Sequence, residues 1–217
     1  MGMLNYRPEI DGLRAFAVVP VVLFHAGIVG FEGGFVGVDI FFVISGYLIT
    51  SILLTDIDTD NFSLISFYER RIRRILPALS FYFLLSSLLV FVYFPPHAVK
   101  DFSQSLVAAN FFVANIFFYI ETDYFNNLSE LAPLLHTWSL SVEEQFYVFF
   151  PLILWALTYL SRNASITILF LLTAGSLAWS EILLQTDANL AFYGPASRFW
   201  EISSGGVLAY RLHYRDR

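Results

Sequence analysis

The stretch Phe35-Val36-Gly37-Val38-Asp39-Ile40-Phe41-Phe42-Val43-Ile44-Ser45-Gly46-Tyr47-Leu48-Ile49-Thr50-Ser51-Ile52-Leu53-Leu54 decides the fold, because in twenty residues it carries a single charge, Asp39. At 1.5 Å per residue, about 20 apolar residues in a helix cross the ~30 Å hydrocarbon core of a bilayer. Working outward, comparable runs are Leu13 to Val29, Ile75 to Phe94, Phe146 to Leu160 (starting near Glu143) and Ala164 to Leu184, with a shorter one from Phe199 to Tyr210. A further apolar stretch, Ser103 to Ile120, carries Ser103, Gln104, Ser105, Asn110 and Asn115, and either spans or lies in the interface.

Composition agrees. Of 217 residues, 57% are hydrophobic and 18% aromatic, while only 14% are charged, well under the roughly 25% of a soluble globular domain. The expected fold class is all-α, a polytopic transmembrane bundle of about six spans. The net charge of −6 excludes a basic nucleic-acid surface. With no cysteine, thiolate metal sites, disulfides and a cysteine nucleophile are excluded, and the reading calls for no metal. Met1 to Asp11 is polar and the apolar run after it holds Arg14, Pro20 and His25, so the first span is expected to stay in the membrane rather than be cleaved as a signal peptide.

Basic residues set the orientation, since short cytoplasmic loops collect Lys and Arg. If Ser103 to Ile120 does not cross and the N-terminus is inside, ten basic residues fall on the inner side and two, Lys100 and Arg198, outside; if it crosses, the count is seven against five. The six-span arrangement is therefore preferred, with a cytoplasmic N-terminus. The long outer loop between Pro95 and Leu140 then holds an interfacial helix.

Ionisable groups inside apolar spans cost a few kcal/mol and mark candidate sites. Arg14 and His25 are eleven residues apart, almost three turns, so they share one helix face with an offset of roughly 20° and an axial separation of ~16 Å. Arg14 is expected at the cytoplasmic boundary and His25 in the outer half. Read singly, Arg14 is a lipid anchor and His25 a polar bridge; together they suit an elongated anionic ligand, with imidazole as general base. Asp39 enters the second span at comparable depth and either orients His25 or pairs with another buried cation.

In Tyr68-Glu69-Arg70-Arg71-Ile72-Arg73-Arg74-Ile75-Leu76-Pro77, the arginines are an orientation signal by default. Helical spacing puts Arg71 and Arg74 on one face and Arg70 and Arg73 on another, turned by ~100°. Two guanidiniums on a face suit phosphate. In His136-Thr137-Trp138-Ser139-Leu140-Ser141-Val142-Glu143-Glu144-Gln145-Phe146-Tyr147 the plain reading is a helix start, with Ser139 or Ser141 as cap and acidic residues at the positive dipole end. Glu143 and Glu144 point ~100° apart, so at least one faces the bundle, as an acid/base partner or a ligand for an acceptor hydroxyl.

The opening Tyr6-Arg7-Pro8-Glu9-Ile10-Asp11-Gly12-Leu13-Arg14 with Arg14-x10-His25, the Gly34 to Ile49 run, Arg70-Arg71-x-x-Arg74-Ile75-x-Pro77, Trp138 to Tyr147 and Ser197-Arg198-Phe199-Trp200-Glu201 together resemble the membrane acyltransferase-3 family, over nearly the whole chain. The resemblance implies O-acylation, usually O-acetylation, of a glycan such as O-antigen, capsule or peptidoglycan. It implies acyl-CoA, usually acetyl-CoA, as cytoplasmic donor and a sugar hydroxyl as acceptor. It makes His25 the catalytic residue, acting as base or transiently acylated, with Arg14, Arg70, Arg71 and Arg74 toward the donor and Glu143, Glu144 and Asp39 as partners in catalysis. Family members have about ten spans, so residues 1–217 resemble the N-terminal part of such a domain, with further spans expected beyond it. A transporter and a non-catalytic membrane module are the competing classes.

Overall fold

The computed structural model describes residues 8–121 and 132–215; Tyr6, Arg7 and Arg217 lie outside them. The described residues form nine α-helices: α1 (Pro8–His25), α2 (Gly37–Asp58), α3 (Leu64–Tyr93), α4 (Pro96–Asn110), α5 (Ala114–Glu121), α6 (Thr137–Leu157), α7 (Arg162–Thr186), α8 (Ala188–Tyr193) and α9 (Pro195–His213). A single 3-10 turn, Gly34–Val36, leads into α2. Four of the helices, α2 with its 3-10 turn, α3, α6 and α7, are long and apolar enough to cross a membrane. An all-helical chain suits the bilayer, since a helix satisfies its own backbone polar groups where no water can.

α2 is the axis of the bundle. α1 runs antiparallel to it, with Gly37 against the Ala17 carbonyl and Gly34 against that of Pro20. α9 runs parallel to it: Asp39 meets Arg198 at one end and Asp58 meets His213 at the other. Between those ends Gly46 lies on the Ile202 carbonyl and Gly205 on that of Val43, contacts that leave no room for a Cβ. Small residues that let backbones touch are the usual means of packing helices where lipid is as apolar as the side chains. α6 also runs parallel to α2, with Trp138 edge-on to Phe42, and stacks Phe146 on Phe150 beneath Phe199 of α9.

α3 is antiparallel to α6: Tyr68 donates to the Val148 carbonyl and Tyr82 to that of Pro133. Few of its side chains are buried, among them Phe67, Phe83 and Val90, and Phe81, Leu84, Leu88 and Phe91 form a lipid-facing side. Because α3 and α6 point opposite ways, the end of α3 and the start of α6 lie at the same end of the bundle. The expected single helix over Ser103 to Ile120 is instead two, α4 and α5, broken at Phe111–Val113. Phe112 adopts φ 53° and offers its carbonyl to Gln145 Nε2 at 2.8 Å. Ala114 N donates to Ser141 Oγ. The break is thus fixed from α6 rather than by a local Gly or Pro.

Other boundaries shift too. α3 begins at Leu64, capped by Ser63, so all of Arg70 to Arg74 is helical. α6 begins at Thr137, so Glu143 and Glu144 lie well inside the helix and not at its start. Ser139 and Ser141 are not caps; each hydroxyl returns to a carbonyl one turn back, His136 and Thr137 respectively.

Candidate functional site

A cavity of about 810 Å³ lies among α1, α2, α3, α6 and α9. Along α2 its wall runs from Phe41 to Thr55, or ~21 Å of helix. Arg14, Arg71 and Arg74 line it together with Ser45, Glu143 and Tyr147, and His213 lies at the end far from the α1–α2 turn.

The arginines divide as their spacing on one helix requires. Arg71 and Arg74 face the cavity, whereas Arg70 turns away to Asp56 at 2.7 Å and Arg73 to Glu69 at 2.8 Å. Arg71 is heavily engaged: Nη2 and Nε both donate to Glu144 Oε1, at 2.6 and 3.3 Å, and the guanidinium lies 3.7 Å above the Tyr147 ring. Its charge is therefore largely answered by protein. Arg14 keeps only a loose pair with Asp11 at 3.9 Å and stands over Phe41 at 5.5 Å. It sits one turn from the start of α2, not at the far boundary where its spacing alone would place it, because the close approach of Gly37 to Ala17 sets α1 high along α2.

Glu143 and Glu144 both face protein, in different directions. Glu144 holds Arg71. Glu143 is buried and Oε1 accepts from Ser45 Oγ on α2 and, at 2.6 Å, from Tyr147 OH one turn along. The Ser45 hydroxyl also contacts Tyr147 OH. Neither Ser45 nor Tyr147 is distinguished by sequence, although Tyr147 at i+4 from Glu143 is a helical neighbour by period.

His25 is not on the cavity wall. It ends α1, exposed, with its ring edge against Phe24. Its Nδ1 is 2.8 Å from the Val21 carbonyl; a carbonyl can only accept, so Nδ1 carries a proton, which in the neutral ring leaves the lone pair on Nε2. A second imidazole near it is His136, just before α6. Burial, first, and then His25 lower the pKa of His136, although part of the residue is exposed at the surface. Tyr82 packs edge-on to it at 5.1 Å.

Asp39 does not orient His25. Arg198 Nη1 takes it at 3.0 Å, along with Glu201 Oε1 at 2.6 Å, while Arg198 Nε donates to the Phe192 carbonyl. The guanidinium also lies 4.8 Å from the Phe192 ring centre. This cluster joins α2, α8 and α9. The 159 positions between Asp39 and Arg198 left the pair without a local signal.

An all-helical membrane bundle with a cation-walled cavity and a carboxylate-bound hydroxyl inside it has the parts of a group-transfer site for an anionic donor. A family model described as an acyltransferase domain matches residues 7–216, and the chain belongs to that acyltransferase family. It is 37% identical over 212 residues to the O-acetyltransferase OatA of Staphylococcus aureus, covering 95% of this chain and 35% of that protein. It is also 37% identical to the peptidoglycan O-acetyltransferase OatA of Listeria monocytogenes, over 95% of this chain and 34% of that protein. The putative peptidoglycan O-acetyltransferase YrhL of Bacillus subtilis is 37% identical over 94% of this chain and 33% of its own length. The chain thus spans about a third of the length of these relatives. No solved structure matches it.

Proposed function

We propose that the chain forms the donor-side core of a membrane O-acetyltransferase that moves an acetyl group from acetyl-CoA to a hydroxyl of a cell-surface glycan. Peptidoglycan is the favoured acceptor over O-antigen, on the names of the relatives. The reading rests on one observation above all: Arg14, Arg71 and Arg74 converge on a single cavity of about 810 Å³ that also holds a hydroxyl and a carboxylate. The orientation that puts the N-terminus in the cytoplasm opens the His213 end of the cavity to the donor. Arg74 then supplies charge to the phosphates, which a guanidinium fork binds bidentately, while Arg14 stands over Phe41 at the deeper end of the cavity. His25, at the α1–α2 turn and outside the cavity wall, is assigned to the acceptor side, where its ring accepts a hydrogen bond from the incoming glycan hydroxyl.

Acetyl-CoA titration of the detergent-purified chain tests this. Saturable binding is expected, weakened by roughly tenfold or more on Arg74→Ala, since a hydrogen bond to a charged group contributes ~1.5–3 kcal/mol. Arg70→Ala, whose partner is Asp56, should leave it unchanged. A chain that binds no acetyl-CoA, or one equally weakened at both positions, counts against the assignment. Surface-glycan mass spectrometry with and without the intact gene then identifies the acceptor.

A further inference from the structure

Within the cavity, Ser45 has the surroundings of a nucleophile and not of a bulk polar residue. Its side chain is only partly buried, so Oγ reaches the cavity, while the carboxylate that accepts its proton, Glu143, is buried. Tyr147 OH donates to the same Glu143 oxygen and fixes its position, giving the sequence of nucleophile, base and orienting group on which activated hydroxyls are built. Arg71 lies 3.7 Å above the Tyr147 ring and so holds that ring from the cavity side. His25, by contrast, stands eleven residues beyond Arg14 along α1, ~16 Å of helix away from the cationic wall.

We propose that Ser45 is a catalytic residue that accepts the acyl group from the donor, so that the reaction proceeds in two halves. This rests on the donor reading given above. Glu143 takes the Ser45 Oγ proton as Oγ attacks the thioester carbonyl. The C–S bond breaks, the CoA thiolate takes the proton from Glu143, and an ester on Ser45 and free CoA-SH remain. An acceptor hydroxyl entering from the His25 end then attacks the ester: Glu143 takes its proton and passes it to Ser45 Oγ as the C–Oγ bond breaks, which regenerates Ser45 and leaves the acyl group on the acceptor.

The test is acid-quenched peptide mass spectrometry of the purified chain after mixing with acetyl-CoA, in the wild type and in His25→Ala, whose imidazole the first half-reaction does not use. One acetyl group is expected on the peptide carrying Ser45 in both. Glu143→Gln should form it at least 100-fold more slowly, the lower end of what a general base contributes. Ser45→Cys should carry the acetyl group as a hydroxylamine-labile thioester, which keeps the test open if Ser45→Ala does not fold. Protein that binds acetyl-CoA yet shows no acetyl group at position 45 in wild type, His25→Ala and Ser45→Cys overturns the inference and spares the donor reading. Protein that binds none overturns both.

Discussion

Arg71 and Glu144 are joined at 2.6 Å between α3 and α6, with only 13% and 15% of their side chains exposed. Among the described residues, the other polar ties of α3 to the bundle are the Tyr68 and Tyr82 hydroxyls and the more exposed Arg70–Asp56 pair with α2. The pair therefore does two things that pull against each other: it fastens a poorly packed helix, and it occupies a cation that a donor phosphate would seek.

Glu144→Gln separates these roles. Leaving one charge of a buried pair unanswered costs about 3–5 kcal/mol, and the lower end applies to this partly solvated pair. The unfolding temperature in detergent should fall. Acetyl-CoA affinity should rise, because the guanidinium is released toward the cavity. A variant that is destabilised but binds acetyl-CoA no more tightly would make Arg71 a structural residue alone.

The division between Arg71 with Arg74 and Arg70 with Arg73 was legible in the sequence because all four sit on one unbroken helix, where period alone sets direction. The helical membrane fold was legible for the same reason: apolar run length is a local quantity. Ser45 and Arg198 were not, since their roles depend on Glu143 and Asp39, 98 and 159 positions away. The break between α4 and α5 was also hidden. It uses a left-handed Phe112 stabilised by Gln145 of another helix, with neither Gly nor Pro to mark it.

Arg198 answers Asp39 and Glu201 together, so its loss strands two carboxylates. Arg198→Leu should cost about 3–5 kcal/mol, the range for removing one partner of a buried pair, and lower the yield of folded protein. Asp39→Asn combined with Glu201→Gln in the Arg198→Leu background should restore much of that loss, because neutral amides of the same shape need no counter-charge. Size-exclusion recovery after heating measures both. Failure of the triple variant to recover would mean that the bonds from Arg198 to the α8 carbonyl, not charge balance, hold the cluster.

His136 gives the bundle a pH dependence of known sign. Burial and the neighbouring His25 lower its pKa from the usual 6.5, so the folded chain binds fewer protons there than the unfolded chain. Stability contributed by the neutral ring is present above about 6.5 and is lost as pH falls from that value through the lowered one. Thermal unfolding from neutral to mildly acid pH should show this loss in the wild type and a shallower one in His136→Gln. Identical slopes would remove His136 as the source.

The α2–α9 contact offers a sharper structural test. At Gly46 and Gly205 an added methyl would meet the backbone of the facing helix, Ile202 and Val43 respectively, and a backbone cannot move aside as a flexible side chain can. Forcing a methylene into a well-packed core costs typically ~1–3 kcal/mol, and helices held by backbone contact should separate for more than that. Gly46→Ala and Gly205→Ala are each expected to lower the unfolding temperature and, since Ser45 adjoins Gly46, to weaken acetyl-CoA binding. Gly175 lies exposed on α7 with nothing near its missing Cβ. Gly175→Ala should therefore leave stability unchanged or raise it by up to ~1 kcal/mol, the helix-propensity gain of Ala over Gly. If Gly46→Ala behaves like Gly175→Ala, α9 does not pack against α2 at this register, and the shape of the cavity between them must be redrawn.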